Sequence, residues 1–418
     1  MCEAGLMPTQ SRAVLQATLQ HERSTRLPAD VPSNIKARDY DVKLRLKRHA
    51  TKGGALNNKL LPPRETAWKT LCKSGIDCIP KEKTTLFPEL EPWKWSMPEV
   101  QFNTELAGIF GKDDTTTNID GAVKDLLSKV KETDIVCYTD GSAEDGTKNG
   151  GAGAIIYFPG EEEIKVYRGC GVICSSYRAE LIAIEETLET VLLHLDKEIE
   201  YNRTLWMITD SQSSVTTLKQ GPGKQFCKIG GNIWRLINAL CEKSLDIIFQ
   251  WIPGHKGIPG NEEADKIAGE ASKLPQEEIP LCLETVKAYL KRHTRDEWIN
   301  GVREQDLFFN KVTDTRPKSI PKDVTRKDEV TIHQLRTGKS PLAAHCLAKY
   351  KNLPENKGMC LAGCNTKETV EHLLTCPIYA KQRQDVCGLD SPIVLLNDDP
   401  VRVLKFLRKI GRLTAPDL

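Results

Sequence analysis

Several ordinary features are missing from this sequence. No stretch approaches the 18 or so consecutive apolar residues that a membrane-crossing helix needs, so no membrane partner is expected. The opening residues M-C-E-A-G-L-M-P-T-Q-S-R carry no apolar core, which argues against a secretory leader. No internal repeat recurs. Strong net charge is lacking too: 59 Lys and Arg against 57 Asp and Glu leave +2, so bulk charge announces no polyanionic partner. The 14 cysteines form no compact framework; spread over 418 residues they point to reduced thiols in the cytoplasm or nucleus, some of them available to a metal.

What is present reads as an ordinary globular composition, 39% apolar and 28% charged, long enough for two or three domains. Residues 1–133 read as a basic, partly disordered region. Lys36, Arg38, Lys43, Arg45, Lys47, Arg48 and Lys52 meet few acids and alternate with Val42, Leu44 and Leu46. That pattern suits either a solvated arm or phosphate contact. Trp68, Trp93, Trp95 and several prolines follow in linker-like sequence, and Ala122–Val130 reads as a short amphipathic helix.

A second region runs from residue 134 to 273. Strands are expected at Ile135–Thr139, Gly153–Phe158, Ile164–Gly169, Leu205–Thr209 and Ile247–Ile252, and helices at Ser176–Leu195, around Val215–Leu218, and at Ile229–Cys241. A Pro/Gly loop with His255 then leads into a last helix, with Asn261 as its expected N-cap and Asp265 one turn in. The class is α/β, a mixed five-stranded sheet with flanking helices. Asp140 and Asp210 fall at strand ends, Glu180 among apolar helix neighbours, and sites in such sheets form outside the carboxyl ends of strands. Taken singly, His255 or Asp265 would pass for solvated residues. Four carboxylates converging would repel one another unless cations neutralised them, and hard oxygen donors suit Mg²⁺ or Mn²⁺. Two such ions about 3.5–4 Å apart can activate water and stabilise a leaving oxygen.

The segments Y-T-D-G-S, Y-R-A-E-L, T-D-S-Q-S and H-K-G-I-P-G-N-E-E-A-D, in this order, resemble the type 1 ribonuclease H family over about Asp134–Lys273, roughly a third of the chain. The resemblance implies a ribonuclease H-like fold in which Asp140, Glu180, Asp210 and Asp265 hold two Mg²⁺ (or Mn²⁺) ions while His255 assists proton transfer or product release. The implied reaction is hydrolysis of the RNA strand of an RNA–DNA hybrid, with the strand chosen through its 2′-hydroxyls. Ser142, Asn149 and Ser211 are candidates for those contacts. Lys224, Lys228 and Arg235 suit either the hybrid backbone or plain solvated charge. The histidine-loop pattern argues against a transposase or resolvase; a domain that binds hybrids without cutting them stays open.

Beyond it, residues 274–325 read as a helical linker, 326–388 as a small helical Cys/His module, and 389–418 as a tail. Leu283–Val302 is expected to be helical, Thr313–Asp328 a loop, and Val330–Tyr350 helical around a Thr-Gly turn. Cys360, Cys364, His372 and Cys376 offer three thiolates and an imidazole, the donor set of a closed structural zinc site; the alternative is core cysteines and a surface histidine. This segment, with L-R-T-G-x-S at Leu335–Ser340 before it, is similar to one that follows the ribonuclease H domain in some non-LTR retrotransposon polyproteins. That implies a reverse transcriptase-related origin, although no Tyr-x-Asp-Asp polymerase signature is present, and a module that is structural or binds single-stranded nucleic acid.

Overall fold

The structure is a computed structural model and describes residues 8–39, 63–84, 93, 100–106, 119–195, 203–225, 227–305, 307–313 and 318–414. Most of the basic segment expected at residues 36–52, together with Trp95, lies outside the described residues. Two compact units form: Val14–Arg292, and His293–Leu418 with Met1–Ala13.

The first unit is built on a sheet of order β1-β6-β5-β2-β3-β4, comprising β1 Val100–Asn103, β2 Ile135–Glu144, β3 Lys148–Tyr157, β4 Ile164–Gly169, β5 Arg203–Thr209 and β6 Leu245–Trp251. The strands β2, β3 and β4 form the expected antiparallel meander, and β5 and β6 run parallel to β2. Ile135, Cys137, Leu205, Met207, Ile208, Ile247 and Phe249 are fully buried, as the near-continuous apolar runs of a parallel centre require.

The sheet has six strands, not five. The extra edge strand, V-Q-F-N at 100–103, pairs parallel with β6, Val100 opposite Ile247 and Asn103 opposite Gln250. Phe102 stacks on Phe249 with ring centroids 5.0 Å apart. Four residues are too few to show a periodicity, and their partner lies far along the chain.

A second difference concerns the last helix of the unit. It starts at Pro259, with Ile258 as cap, so Asn261 is not the N-cap but a buried residue of the first turn. Proline suits a first helical position because the amide it lacks would have no intrahelical partner there.

Helices cover both faces. Asp140 pairs with Gly153, so their side chains share a face, and Gly141 points to the other. A Cβ on Gly153 would strike the backbone of helix Pro259–Ala271; one on Gly141 would strike Ala179 and Glu180 in helix Ser176–His194. The latter also packs on helix Lys228–Cys241.

In the second unit, helices Arg326–Arg336 and Ala344–Tyr350 flank the expected Thr337-Gly338 turn. Arg336 is buried, its Nε donating to the Leu396 carbonyl (2.8 Å) and Nη1 to that of Lys318 (3.1 Å). The L-R-T-G-x-S segment therefore places a structural arginine in a core of Ile332, Leu335, Leu373, Leu396 and Phe406. Among the described residues no helix is long and apolar enough to cross a membrane.

Candidate active site

Strand β2 is longer than its sequence suggests, and this decides where Asp140 sits. Its parallel pairing with β5 ends at Thr139 opposite Thr209, while its pairing with β3 continues to Glu144. Asp140 therefore lies inside the strand, where β2 parts from β5, and Asp210 lies just past the end of β5. The Asp210 carbonyl accepts from the Trp251 indole nitrogen (2.9 Å), tying that turn to the end of β6. Glu180 is brought in from above by its helix, whose backbone comes against β2 because Gly141 has no side chain there.

The result is one carboxyl oxygen each from Asp140, Glu180 and Asp210, all within 4.8 Å of one another. Asp140 and Glu180 are each 8% exposed. Burial first, then the charges of Asp210 and Asp265, push Asp140 up to about 7. Glu180 lies well above the ordinary carboxyl range, again through burial first, then Asp140 and Asp210. One Glu180 oxygen, Oε2, is buried without a hydrogen-bond partner. Buried carboxylates without compensation are costly. Three close carboxyl groups, one of them with an unsatisfied oxygen, fit hard divalent cations.

Asp265 stands apart from this set, close enough for its charge to raise Asp140. Its side chain is 45% exposed, and its Oδ2 lies 3.8 Å from Nδ1 of His255, which is 79% exposed. His255 has φ of +55°, a left-handed conformation unusual for a side-chain-bearing residue, in a loop held where Glu262 accepts from the Gly257 amide (3.2 Å). Glu262 groups with His255 and Asp265, also within 4.8 Å. In the sequence it reads as a plain first-turn acid; its spacing of three from Asp265 was the available signal.

The expected nucleic-acid contacts are mixed. Asn149, at φ +43°, gives its amide to Glu144 (2.6 Å). Ser211 is buried, its hydroxyl 2.8 Å from that of Ser214. Ser142 is half-buried on β2. Lys228 opens its helix and Arg235 hydrogen-bonds to Asn232 on the same helix.

In the second unit, Cys360, Cys364, His372 and Cys376 come together within 4.8 Å. The Cys376 sulfur lies 3.9 Å from that of Cys360 and 3.3 Å from that of Cys364. A tetrahedron with zinc–sulfur bonds of about 2.3 Å has sulfur–sulfur edges of about 3.8 Å, so the donors fit the ion. Gly363, at φ +90°, turns the chain between the first two cysteines.

The model of the family described as RNase H matches residues 132–273. A ribonuclease H of Alcanivorax borkumensis is 32% identical over 141 residues, covering 32% of this chain and 88% of that protein. Another, of Nitrosococcus oceani, is 30% identical over 147 residues, covering 33% and 95%. A solved structure, LC11-RNase H1 isolated from compost, is 22% identical with a TM-score of 0.27, covering 33% of this chain and 95% of that one. The family match and the two ribonuclease H sequences agree: through residues 132–273 the chain belongs to the ribonuclease H family of hydrolases.

Proposed function

We propose that the protein cuts the RNA strand of RNA–DNA hybrids at the Asp140–Glu180–Asp210 cluster, with Asp265 completing the ligand set for two Mg²⁺ or Mn²⁺ ions. The observation that carries this is the buried, unpartnered Oε2 of Glu180 beside two further carboxyl groups. The chemistry those ions supply is activation of a water and stabilisation of the leaving oxygen in phosphodiester hydrolysis.

The protein's own residues do the rest. Asp140 on the rigid strand β2 and Glu180 on its helix fix the buried side of the site. Asp210 and Asp265 bound its open side. His255, exposed on a loop beside Asp265, can accept and release a proton at Nδ1 or Nε2 and so assist proton transfer or product release. Lys224 and Lys228 lie near the start of helix Lys228–Cys241 and Arg235 midway along it, where they can meet a phosphate backbone.

The second unit adds a reading with its own support. Three thiols and an imidazole on one small loop-and-helix segment suit a structural Zn²⁺ held by Cys360, Cys364, His372 and Cys376. We read the pairing of this module with a ribonuclease H domain as the mark of a protein derived from a non-LTR retrotransposon.

The test is cleavage of labelled RNA–DNA hybrid in Mg²⁺, beside single-stranded RNA and duplex DNA, with Asp140→Asn and Asp210→Asn alongside. RNA cutting confined to the hybrid and lost in both variants supports the proposal. Tight hybrid binding without cutting in Mg²⁺ or Mn²⁺ replaces it with a binding module.

A further inference from the structure

The helix that carries Glu180 is held at its first turn by residues that lie outside the ribonuclease H match, on both sides of it. Its N-cap is Ser175, whose hydroxyl accepts from the Arg178 amide (3.2 Å). That same hydroxyl lies 3.4 Å from the hydroxyl of Thr285, a fully buried residue that follows the match. Arg178, one turn along and two residues before Glu180, is 7% exposed. Its Nη1 donates to Oε2 of Glu82, which precedes the match (3.2 Å), and its Nη2 to the Pro280 carbonyl, which follows it (3.3 Å). The other carboxylate oxygen of Glu82 accepts from the Lys228 amide at 2.8 Å, so one side chain joins the starts of two helices.

These flanking residues are themselves knit together. Lys81 bridges Leu281 in parallel; the Glu82 amide donates to the Leu281 carbonyl (3.0 Å), and the Leu281 amide to that of Pro80 (2.8 Å). Beneath the bridge lies Arg26, 1% exposed, which donates to the carbonyls of Glu82 and Leu281 and pairs with Glu22 at 3.0 Å. Glu22 also holds Lys81 at 2.6 Å. A buried arginine with a carboxylate and two carbonyls is a satisfied, rigid anchor, because releasing any partner leaves a charge uncompensated.

The geometry makes this anchor bear on the site. At Gly141 the Glu180 backbone sits so close to β2 that no Cβ would fit, so a small shift of the helix start changes the separation of Glu180 from Asp140. Contact with β2 restrains the helix on one side, and Thr285, Glu82 and Pro280 restrain its first turn. We propose that Glu82 and Thr285 are positioning residues that fix Glu180 against Asp140 and Asp210, and that the working catalytic unit runs from Val14 to Arg292. The inference rests on the proposed carboxylate site for its meaning, and its test reads more than cleavage.

The full chain would be made with Glu82→Gln, Thr285→Val, Asp140→Asn and, as a control for lost stability at the far edge of the sheet, Phe102→Ala. Metal-free protein would be titrated with Mn²⁺ by calorimetry, and amide hydrogen exchange followed across residues 176–182. Glu82→Gln and Thr285→Val should each weaken Mn²⁺ binding about tenfold, the usual effect of losing a group that orients a ligand, and speed exchange at the helix start. Phe102→Ala should lower the melting temperature yet leave both readouts unchanged. Unaltered Mn²⁺ affinity and exchange in the first two variants overturns the inference, as does equal weakening in Phe102→Ala. Mn²⁺ binding lost in Asp140→Asn, in a chain that does not cut hybrids, would sink the proposed activity and leave the positioning role standing. A chain that binds no Mn²⁺ sinks both.

Discussion

Asp140→Asn should stabilise the metal-free protein while abolishing cleavage, because the carboxylate cluster is a liability without cations. Asp140 is raised from 3.8 to about 7, by burial first and then by Asp210 and Asp265. The folded state therefore holds this proton more tightly than the unfolded chain does. Between those two values the unfolded chain binds fewer protons, so stability falls as pH rises, by about 1.4 kcal/mol per pH unit. Over the whole window the loss sums to about 4 kcal/mol, fully present at pH 8 and only about 1.5 kcal/mol at pH 5. Asparagine has nearly the same shape and never ionises. In EDTA at pH 8 the variant should be more stable by about 2–4 kcal/mol, which raises the melting temperature of a unit of this size by between about 4 and 16 °C. At pH 5 the gap should shrink to less than half. Adding Mg²⁺ at pH 8 should stabilise the unaltered protein more than the variant, since only the former keeps the full ligand set. Thermal melts followed by circular dichroism at the two pH values, with and without Mg²⁺, give every number. An Asp140→Asn protein no more stable than the parent in EDTA at pH 8 would refute the account of the site.

Other outcomes follow from the same geometry. His255→Ala should lower kcat about 10²-fold or more with the Mn²⁺ affinity intact, measured by single-turnover cleavage beside calorimetry; an equal loss of metal binding would place His255 among the ligands instead. Gly141→Ala should cost more than about 2 kcal/mol in urea unfolding and most of the activity, because its methyl meets the backbone of Ala179 and Glu180, which cannot move aside as a flexible side chain can. Purified protein should contain one zinc per chain by elemental analysis; Cys376→Ser should lose it and unfold the core around Leu373 and Leu374, and a chain stable without zinc would argue against the site.

Much of the site was legible because its chemistry is written in local patterns. Asp140 and Asp210 follow β-branched strand runs, and Glu180 stands out as an acid among Ala179, Leu181, Ala183 and Ile184. His255 lies between two Pro-Gly breaks. The residues of the Cys/His cluster were likewise readable from their spacing and from Gly363. What escaped was non-local. Val100–Asn103 shows no period over four residues and becomes a strand only against β6. Asn261 looked like a cap, yet Pro259, pre-set for a first helical position, starts the helix earlier. Arg336 was legible only as one letter of the L-R-T-G-x-S segment and is a buried anchor.

The α/β alternation was legible from the residue types of single strands and helices, and the four acids and the Cys/His group from motifs whose order and spacing are read along the chain. It took the folded chain to show that three of the acids meet while Asp265 stands with His255 and Glu262. The fold also decided that Glu82 and Thr285, from opposite flanks, grip the start of the Glu180 helix. The physical reason is that such contacts join segments far apart in the chain: their energy comes from shared burial and from satisfying charges out of water, and no local pattern of residues encodes a partner about a hundred positions away.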